Sequence, residues 1–187
     1  MSTSTSRVPG KIGQAFRFDG VNDVISVTDI PTLNFGASDS FSVSFWLKPN
    51  VLAGVGTFVA KIAISLADGW RFHNNSGNTV RFFVRETGGD DTNTYVSATM
   101  TAGKWTHVVG VVNRSNNTVY LYFDGVSVGT PANISGVGDL STTGTNLHIG
   151  SYRVASGDYA NGSLDDVRIY NRVLSAGEVQ KLYQMGR

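Results

Sequence analysis

Short runs in which apolar and polar residues alternate recur along this chain, and they constrain its fold more than any other feature. Residues 41–47 read FSVSFWL, which places Phe, Val, Phe and Leu on one face of a strand and Ser, Ser and Trp on the other. Comparable strand signals, bounded by Gly, Asn and Asp, occupy 57–64, 69–73, 79–85, 95–99, 105–113, 118–124, 147–151 and 164–170. The pattern predicts about ten or more short strands.

Turn and helix signals complete this picture. Residues 114–117 predict one hairpin loop, and Asp124-Gly125 predicts a second hairpin turn. Ser175 and Glu178 form a capping-box pattern, followed by Val179, Leu182 and Tyr183 on one helical stripe, with Gly186 as a C-terminal stop. No internal repeat of 20–50 residues is visible. We therefore predict an all-β, two-sheet antiparallel sandwich with one short C-terminal helix.

Composition limits the classes of protein that the chain can belong to. Its 187 residues suit a single domain, and 41% of them are hydrophobic, enough for a sizeable core. The net charge is +1 and no two basic residues are adjacent, so no basic stripe for nucleic acid is visible. No apolar stretch is long enough to insert into a membrane. Cysteine is absent, which excludes disulfides and thiolate metal sites. Residues 1–9 lack signal-peptide features, and we predict a linker or cloning tail there.

The two ends of the chain carry matching signals, each with carboxylates beside β-branched and aromatic residues. The informative residues are the opening Phe18-Asp19-Gly20 with Asp23, residues 41–49 and 104–108, the hairpin at 120–125, and the close from Leu164 to Glu178. In these residues the chain resembles the concanavalin A-like, laminin G-like jelly-roll modules. This resemblance implies that residues 10–187 form one jelly-roll domain whose first and last strands pair. It also implies an extracellular or cell-surface location, within a larger secreted or surface protein.

Catalysis is poorly supported by the sequence. Jelly-roll glycosidases use two carboxylates about 5–5.5 Å apart, which on a strand would be two or four residues apart. The chain has two glutamates, Glu86 at a strand end and Glu178 in the capping box, and its aspartates cluster in turns. The three histidines, His73, His107 and His148, are far apart and lie within strand signals. We therefore expect no enzyme activity, with glycoside hydrolysis as a remote alternative.

Calcium is the cofactor that the acidic residues favour. Asp19, Asn22 and Asp23 supply three side-chain oxygens within five residues, and Ca²⁺ prefers six to eight oxygen ligands. If the first and last strands pair as the resemblance implies, Asp165 and Asp166 add two carboxylates. The alternative is that Asp19 and Asp165 only accept backbone N–H groups.

Two loops and one tryptophan are candidates for glycan binding. Asp90, Asp91 and Tyr95 lie in or beside an acidic loop, while Tyr152 and Tyr159 lie in the loop after the strand signal at 147–151. Trp70 follows Asp68-Gly69 and is the tryptophan that we expect to be partly exposed. Carboxylates bind sugar hydroxyls and rings stack on sugar faces, although each loop could equally be a solvated connection.

These observations favour an extracellular binding or adhesion module without chemistry, most consistent with a lectin-like carbohydrate-binding module that calcium supports. The alternative is an architectural or protein-interaction module of a larger surface protein. Exposed rings at Trp70, Tyr95, Tyr152 and Tyr159 would favour a glycan partner, whereas buried rings would favour an extracellular protein partner or a spacer.

Overall fold

A computed structural model of the chain describes residues 5–63, 68–75, 77–86, 94–153 and 157–186. Within these ranges the chain forms thirteen strands, one 3₁₀ turn at Pro31–Leu33 and one α-helix, α1, at Ala176–Met185. The strands are β1 (Ser6–Pro9), β2 (Gln14–Asp19), β3 (Ile25–Val27), β4 (Phe41–Pro49), β5 (Gly56–Ile62), β6 (Gly69–Asn75), β7 (Thr79–Arg85), β8 (Tyr95–Thr99), β9 (Thr106–Asn113), β10 (Thr118–Phe123), β11 (Val126–Asn133), β12 (Leu147–Ile149) and β13 (Asn161–Tyr170).

The strands form two sheets in which all strand pairs are antiparallel, and this confirms the predicted sandwich. The seven-stranded sheet has the order β1-β2-β13-β4-β9-β10-β11, and the six-stranded sheet has the order β3-β12-β5-β6-β7-β8. Strand β2 pairs with β13, with Asp19 opposite Asn161 and Phe16 opposite Leu164. The two ends of the chain therefore close the same sheet, as the resemblance implied.

The core lies between the two sheets and consists largely of aromatic rings. Phe35 stacks on Phe41 with ring centroids 4.2 Å apart, and Phe72 stacks on Phe82 at 4.3 Å. Gly110 of β9 lies against the second pair, where a Cβ atom would collide with both rings. Burying each of these side chains contributes about 1.5–3 kcal/mol to the free energy of folding, so the rings stabilise the packing of one sheet on the other.

Helix α1 covers the outer face of the seven-stranded sheet. Ser175 and Glu178 form the predicted capping box, and Gly186 is the C-terminal cap. Val179 packs with Val109, Tyr122 and other apolar residues of β9, β10 and the segment before the helix. No helix in the described ranges has the length and apolar character needed to cross a bilayer.

The start of the chain differs from the prediction of a linker at residues 1–9. Ser6–Pro9 form β1, which pairs along its whole length with Gln14–Arg17 of β2. These four residues have mostly exposed side chains, so their contribution is main-chain pairing at a sheet edge. This explains why a search for apolar alternation misses them.

Candidate functional site on the outer face of the six-stranded sheet

The two outer faces of the sandwich differ in what covers them. Helix α1 packs on the seven-stranded sheet through Val179 and Leu182. The described part of the chain places no helix on the outer face of the six-stranded sheet. Part of this face is instead covered by the segment after β12, where Tyr152 packs on Ala60 and Ile62. Strands β6, β7 and β8 carry the remainder of the face.

Strand alternation brings arginines together on this outer face. Because Trp70 and Phe72 of β6 and Phe82 of β7 point into the core, their neighbours along the strands point outward. The pairing places Arg71 opposite Phe83, and His73 opposite Arg81.

On β8, Tyr95 lies opposite Phe83 in the same row of the sheet. Arg153 follows Tyr152, whose ring belongs to the same outer cluster as Phe83. We name this surface the arginine face, consisting of Arg71, Arg81, Phe83, Arg85, Tyr95 and Arg153.

Aromatic rings hold three of the arginines in place. The guanidinium carbon of Arg81 lies 4.2 Å from the ring centroid of Tyr95, and that of Arg71 lies 5.5 Å from the ring of Phe83. Arg153 lies 5.1 Å from the ring of Tyr152. Such cation–π contacts stabilise a guanidinium without using its N–H groups. Among the described residues, the buried Nε atoms of Arg81 and Arg153 have no hydrogen-bond partner.

His73 lies among the arginines as a neutral group. Its side chain is 5% exposed, and its ring packs edge-on against Phe83 at 6.2 Å. Burial, followed by repulsion from Arg71, lowers the pKa of His73 from 6.5 to about 3, against the hydrogen bond between Nδ1 and the carbonyl oxygen of Asn74. The positive charge of the arginine face therefore comes from guanidinium groups at any pH above about 4.

Asp158 and Tyr159 lie at the side of the arginine face. A carboxylate oxygen of Asp158 is 3.9 Å from Arg71, and the two side chains are 31% and 13% exposed. The carbonyl oxygen of Asp158 accepts the backbone N–H of Thr57 at 3.0 Å, and Tyr159 forms a parallel bridge with the same residue. Tyr159 is half-buried, so the structure brings this predicted residue to the start of β5.

The structure changes the predicted role of two aromatic residues. Trp70 is 1% exposed and packs inside the sandwich, 5.8 Å from the ring of Phe41, so the expectation that it is exposed is wrong. The Asp68-Gly69 turn suggested exposure, but the following alternation directs Trp70 inward. Tyr152 is 7% exposed and supports Arg153, so its ring is not an open stacking surface.

Of the other predicted glycan-binding residues, Tyr95 is half-buried on the arginine face and holds Arg81. Asp90 and Asp91 lie outside the described residues.

The five predicted calcium ligands do not form one site. Asp19 is the last residue of β2, and Asp23 lies in the turn that follows. The carboxylate of Asp23 accepts the backbone N–H of Asp19 at 3.0 Å, and the carboxylate of Asp19 accepts the N–H of Val21 at 2.8 Å. Asn22 lies in the same turn, exposed. No group of three or more acidic or histidine residues in the described ranges could hold a metal ion.

The predicted ligands at the other end of the chain have protein partners. A carboxylate oxygen of Asp165 accepts the backbone N–H groups of Lys11 and Ile12 at 2.8 and 2.7 Å. Asp166 forms an ion pair with Arg168 at 2.8 Å. Asp165 lies opposite the N-terminal part of β2, about four residues or roughly 13 Å from Asp19 along the strand. The residues therefore fit backbone hydrogen bonding better than a shared calcium ion.

Calcium binding by this chain stays a prediction. If a tight structural ion is present, EDTA will lower the melting midpoint of the purified protein, since a ligand that binds only the folded state stabilises it. An unchanged midpoint would contradict it. Excess Ca²⁺ added back to the EDTA sample should restore the midpoint, which separates loss of the ion from other effects of EDTA.

One buried pair resembles part of a catalytic dyad. The Oγ of Ser44 lies 2.9 Å from Nε2 of His107, and burial lowers the pKa of His107 from 6.5 to about 4. Both side chains are buried next to Trp46 and Tyr183 of α1. In the described part of the chain, Nδ1 of His107 has no hydrogen-bond partner. A nucleophile needs both access and an oriented base, and this pair has neither.

A polar cleft of about 470 Å³ lies at one end of the sandwich, between the segment before β4 and the segment before α1. Its charged groups already have partners: Asp39 accepts the N–H of Gly36 at 2.8 Å, and Arg172 pairs with Glu178 at 2.8 Å. The arginine face, with unsatisfied donors, is the stronger candidate for a binding site.

The arginine face is the feature that the sequence analysis missed. Arg71, Arg81 and Arg85 occur singly in the sequence, so a search for adjacent basic residues does not find them. The available signal is alternation: Arg-Phe-His at 71–73 and Arg-Phe-Phe-Val-Arg at 81–85 each place basic residues on one strand face. The pairing of β6 with β7, which the sequence does not specify, brings these faces together.

Comparison with known proteins agrees with this architecture. The family model described as the concanavalin A-like lectin/glucanases superfamily matches residues 19–180. The chain belongs to this family. No curated protein matches it.

Solved structures with the same fold include binding domains of toxins and one domain of an extracellular arabinanase. The chain is similar to the binding domain of Paraclostridial Mosquitocidal Protein 1, with 18% identity and a TM-score of 0.78 over 98% of this chain and 46% of that one. Domain 4 of AbnA, a GH43 extracellular arabinanase from Geobacillus stearothermophilus, was solved with arabinotriose. It is 22% identical with a TM-score of 0.71, over 98% of this chain and 82% of that one. The binding domain of botulinum neurotoxin DC, solved with rat synaptotagmin II, is 16% identical with a TM-score of 0.76, over 98% of this chain and 46% of that one. The chain spans under half the length of these two toxin structures, and at such identities the likeness shows the fold alone.

Proposed function

We propose that this chain is a non-catalytic carbohydrate-binding module of a secreted or surface protein, and that it binds glycan on the arginine face. The observation that carries the proposal is the set of guanidinium groups held by Phe83, Tyr95 and Tyr152 on a sheet face that no described helix covers. Guanidinium groups that rings hold in place suit a ligand with many oxygen atoms, because each guanidinium carries several N–H donors.

The absence of chemistry is part of the same proposal. Glu86 accepts the backbone N–H of Gly138, and Glu178 completes the helix cap. Both glutamates therefore have structural partners at separate places in the fold, rather than forming the close carboxylate pair of a glycosidase. The domain of the arabinanase, solved with arabinotriose, is an example of a module with this fold and a saccharide ligand.

The proposal is tested on a glycan array with the wild type and two matched variants. Tyr95→Ala removes the ring under Arg81, and we expect it to weaken every glycan signal at least tenfold. Tyr170→Ala is the control, because Tyr170 also lies under an arginine, Arg172 at 5.9 Å, but on the other sheet. The control should retain the wild-type signals. Equal losses in both variants, or an array without signals, would contradict the proposal.

A protein partner is the second candidate function, and two observations favour it. The rings of Trp70 and Tyr152 are buried and those of Tyr95 and Tyr159 are half-buried, and buried rings favour a protein partner or a spacer over a glycan. The botulinum neurotoxin DC binding domain, which has the same fold, was solved with rat synaptotagmin II. Strand β11 is an edge strand of the seven-stranded sheet, and edge strands can accept a strand from a partner. An empty glycan array together with capture of an extracellular protein would favour this alternative.

A further inference from the structure

Among the described residues, the side chains of the arginine face carry more hydrogen-bond donors than acceptors. Arginine has five N–H donors and no acceptor, and the face carries four arginines: Arg71, Arg81, Arg85 and Arg153. One carboxylate, that of Asp158, lies 3.9 Å from Arg71. His73 between them is neutral, so it does not add to the charge. The described part of the face is therefore strongly cationic.

This balance discriminates between classes of saccharide. Each hydroxyl of a neutral sugar donates as well as accepts, so a site for a neutral glycan needs protein acceptors such as carboxylates and carbonyl oxygens. A carboxylate or sulfate group on a sugar only accepts, and it takes two parallel N–H bonds from one guanidinium. The arginine face therefore matches acidic groups better than hydroxyl groups.

The arginines are also arranged in advance for such a ligand. The ring of Tyr95 holds Arg81 at 4.2 Å, and the ring of Tyr152 holds Arg153 at 5.1 Å, so less side-chain freedom is lost on binding. In the described part of the chain, Nε of each of these two arginines has no hydrogen-bond partner.

The spacing of the arginines favours a ligand with more than one acidic group. Arg81 and Arg85 are four residues apart on β7, a distance of roughly 13 Å along the strand. Arg71 lies on the neighbouring strand β6 opposite Phe83, and therefore between Arg81 and Arg85 in register. The two strands are roughly 5 Å apart across the sheet. One terminal acid on a glycan could reach one of these positions, whereas an acidic polymer could reach several at once.

We propose that the ligand of the arginine face is an acidic polysaccharide, with repeated carboxylate or sulfate groups that pair with Arg81, Arg85 and Arg71. This inference rests on the proposed carbohydrate-binding function and specifies its substrate class. Charge steering by the arginines makes the affinity fall with ionic strength.

The test compares polymers that share a backbone and differ in charge. Polygalacturonate is paired with its full methyl ester for carboxylates, and dextran sulfate is paired with dextran for sulfates. Polyglutamate and duplex DNA serve as anions that are not saccharides. We expect the wild type, in calorimetry at low salt, to bind at least one acidic polysaccharide tenfold or more tighter than its neutral counterpart and than either control anion. The arm that responds identifies the acidic group.

Two variants localise the effect. Arg81→Gln should weaken binding of the acidic polymer at least tenfold. Arg81→Lys keeps the charge but not the planar guanidinium, so it should lose an intermediate amount of affinity. Arg172→Gln, on the opposite side of the molecule, should bind within twofold of the wild type. Circular dichroism and a melt of each variant confirm that it is folded, and Arg85→Gln replaces Arg81→Gln if the latter is not.

The outcomes separate the two proposals. Equal binding of the acidic polymers and their neutral counterparts would overturn the acidic ligand and leave the carbohydrate-binding function standing. If polyglutamate or DNA bound as tightly as the acidic polysaccharide, the acidic-polysaccharide proposal would also be overturned, because the face would then attract anions in general. Binding to no saccharide would overturn both proposals.

Discussion

At the scale of single residues, Asp165 joins the two ends of the chain. One of its carboxylate oxygens accepts the N–H groups of Lys11 and Ile12, and a Cβ atom on Gly10 would collide with it. Because β13 is the last strand and these residues form the first hairpin, the contacts close the sheet between sequence positions more than 150 apart. The acidic pattern read from the sequence as a calcium site is, at this residue, a backbone anchor.

Asp165→Asn should therefore destabilise the protein, since hydrogen bonds to a charged group contribute about 1.5–3 kcal/mol. Asp166→Asn is the matched control: its partner Arg168 is 40% exposed, and such surface pairs contribute about 0–1 kcal/mol. Urea unfolding of both variants checks the prediction. A larger loss for Asp166→Asn than for Asp165→Asn would contradict the anchoring role.

Lys61 shows what could not be predicted from residue type. Its buried ammonium group lies 3.0 Å from the carboxylate of Asp29 and 2.9 Å from the side-chain oxygen of Asn34. It also donates to the carbonyl and hydroxyl oxygens of Thr142 and to the carbonyl oxygen of Thr145. Lys61 lies inside the apolar run FVAKI, and its partners lie on loops that only the fold brings together.

At the scale of elements, the helix and its caps were readable from the sequence because their signals are local. The capping box at Ser175 and Glu178 is present, with the hydroxyl and carboxylate each accepting a backbone N–H. The predicted hairpin at Asp124-Gly125 is also confirmed, and both residues have the positive φ angles that a tight two-residue hairpin turn requires. Strand β11 was missed because its side chains are mostly exposed and do not alternate.

Ser175→Ala should weaken the attachment of α1. The helix has ten residues, too few to be stable without caps and packing, and loss of an N-cap side chain costs about 0.5–2 kcal/mol. The control is Ser127→Ala, at an exposed position of β11, which should change stability by less than about 0.5 kcal/mol. Thermal melts of both variants decide the matter, and equal midpoints would contradict the role of the cap.

At the scale of the whole molecule, the sandwich and the pairing of its ends were predictable, whereas the binding face was not. Alternation sets which side chains point inward, and it does so within each strand. The arginine face depends on which strands are neighbours and in which register, as in the pairing of His73 with Arg81. Strand order and register depend on pairing between distant parts of the chain, and the pattern of a single sequence does not predict them.

The three histidines make the folded state sensitive to acid. Burial lowers the pKa of His73 from 6.5 to about 3, that of His107 to about 4, and also that of His148. Between pH 6.5 and 4 the unfolded chain therefore binds more protons than the folded chain, so acidification favours unfolding. Each histidine that titrates only in the unfolded chain contributes up to about 1.4 kcal/mol per pH unit.

We expect the free energy of unfolding to be nearly constant above pH 7 and to fall from about pH 6.5 toward pH 4. Urea titrations at half-unit pH steps measure it, and His107→Gln should reduce the slope even though it also lowers the overall stability. A flat profile between pH 6.5 and 5 would contradict the assignment of buried neutral histidines.

The central claim is that ligand binds to the outer face of the six-stranded sheet. Amide chemical-shift mapping by NMR tests this directly, with titration by a trisaccharide of the acidic polymer that binds most tightly and, separately, by its neutral counterpart. The predicted result is shifts in β6, β7 and β8, around Arg71, Arg81 and Tyr95, with the larger response to the acid. Shifts centred on helix α1 or on the cleft beside Asp39 and Arg172, or no shifts with either trisaccharide, would contradict it.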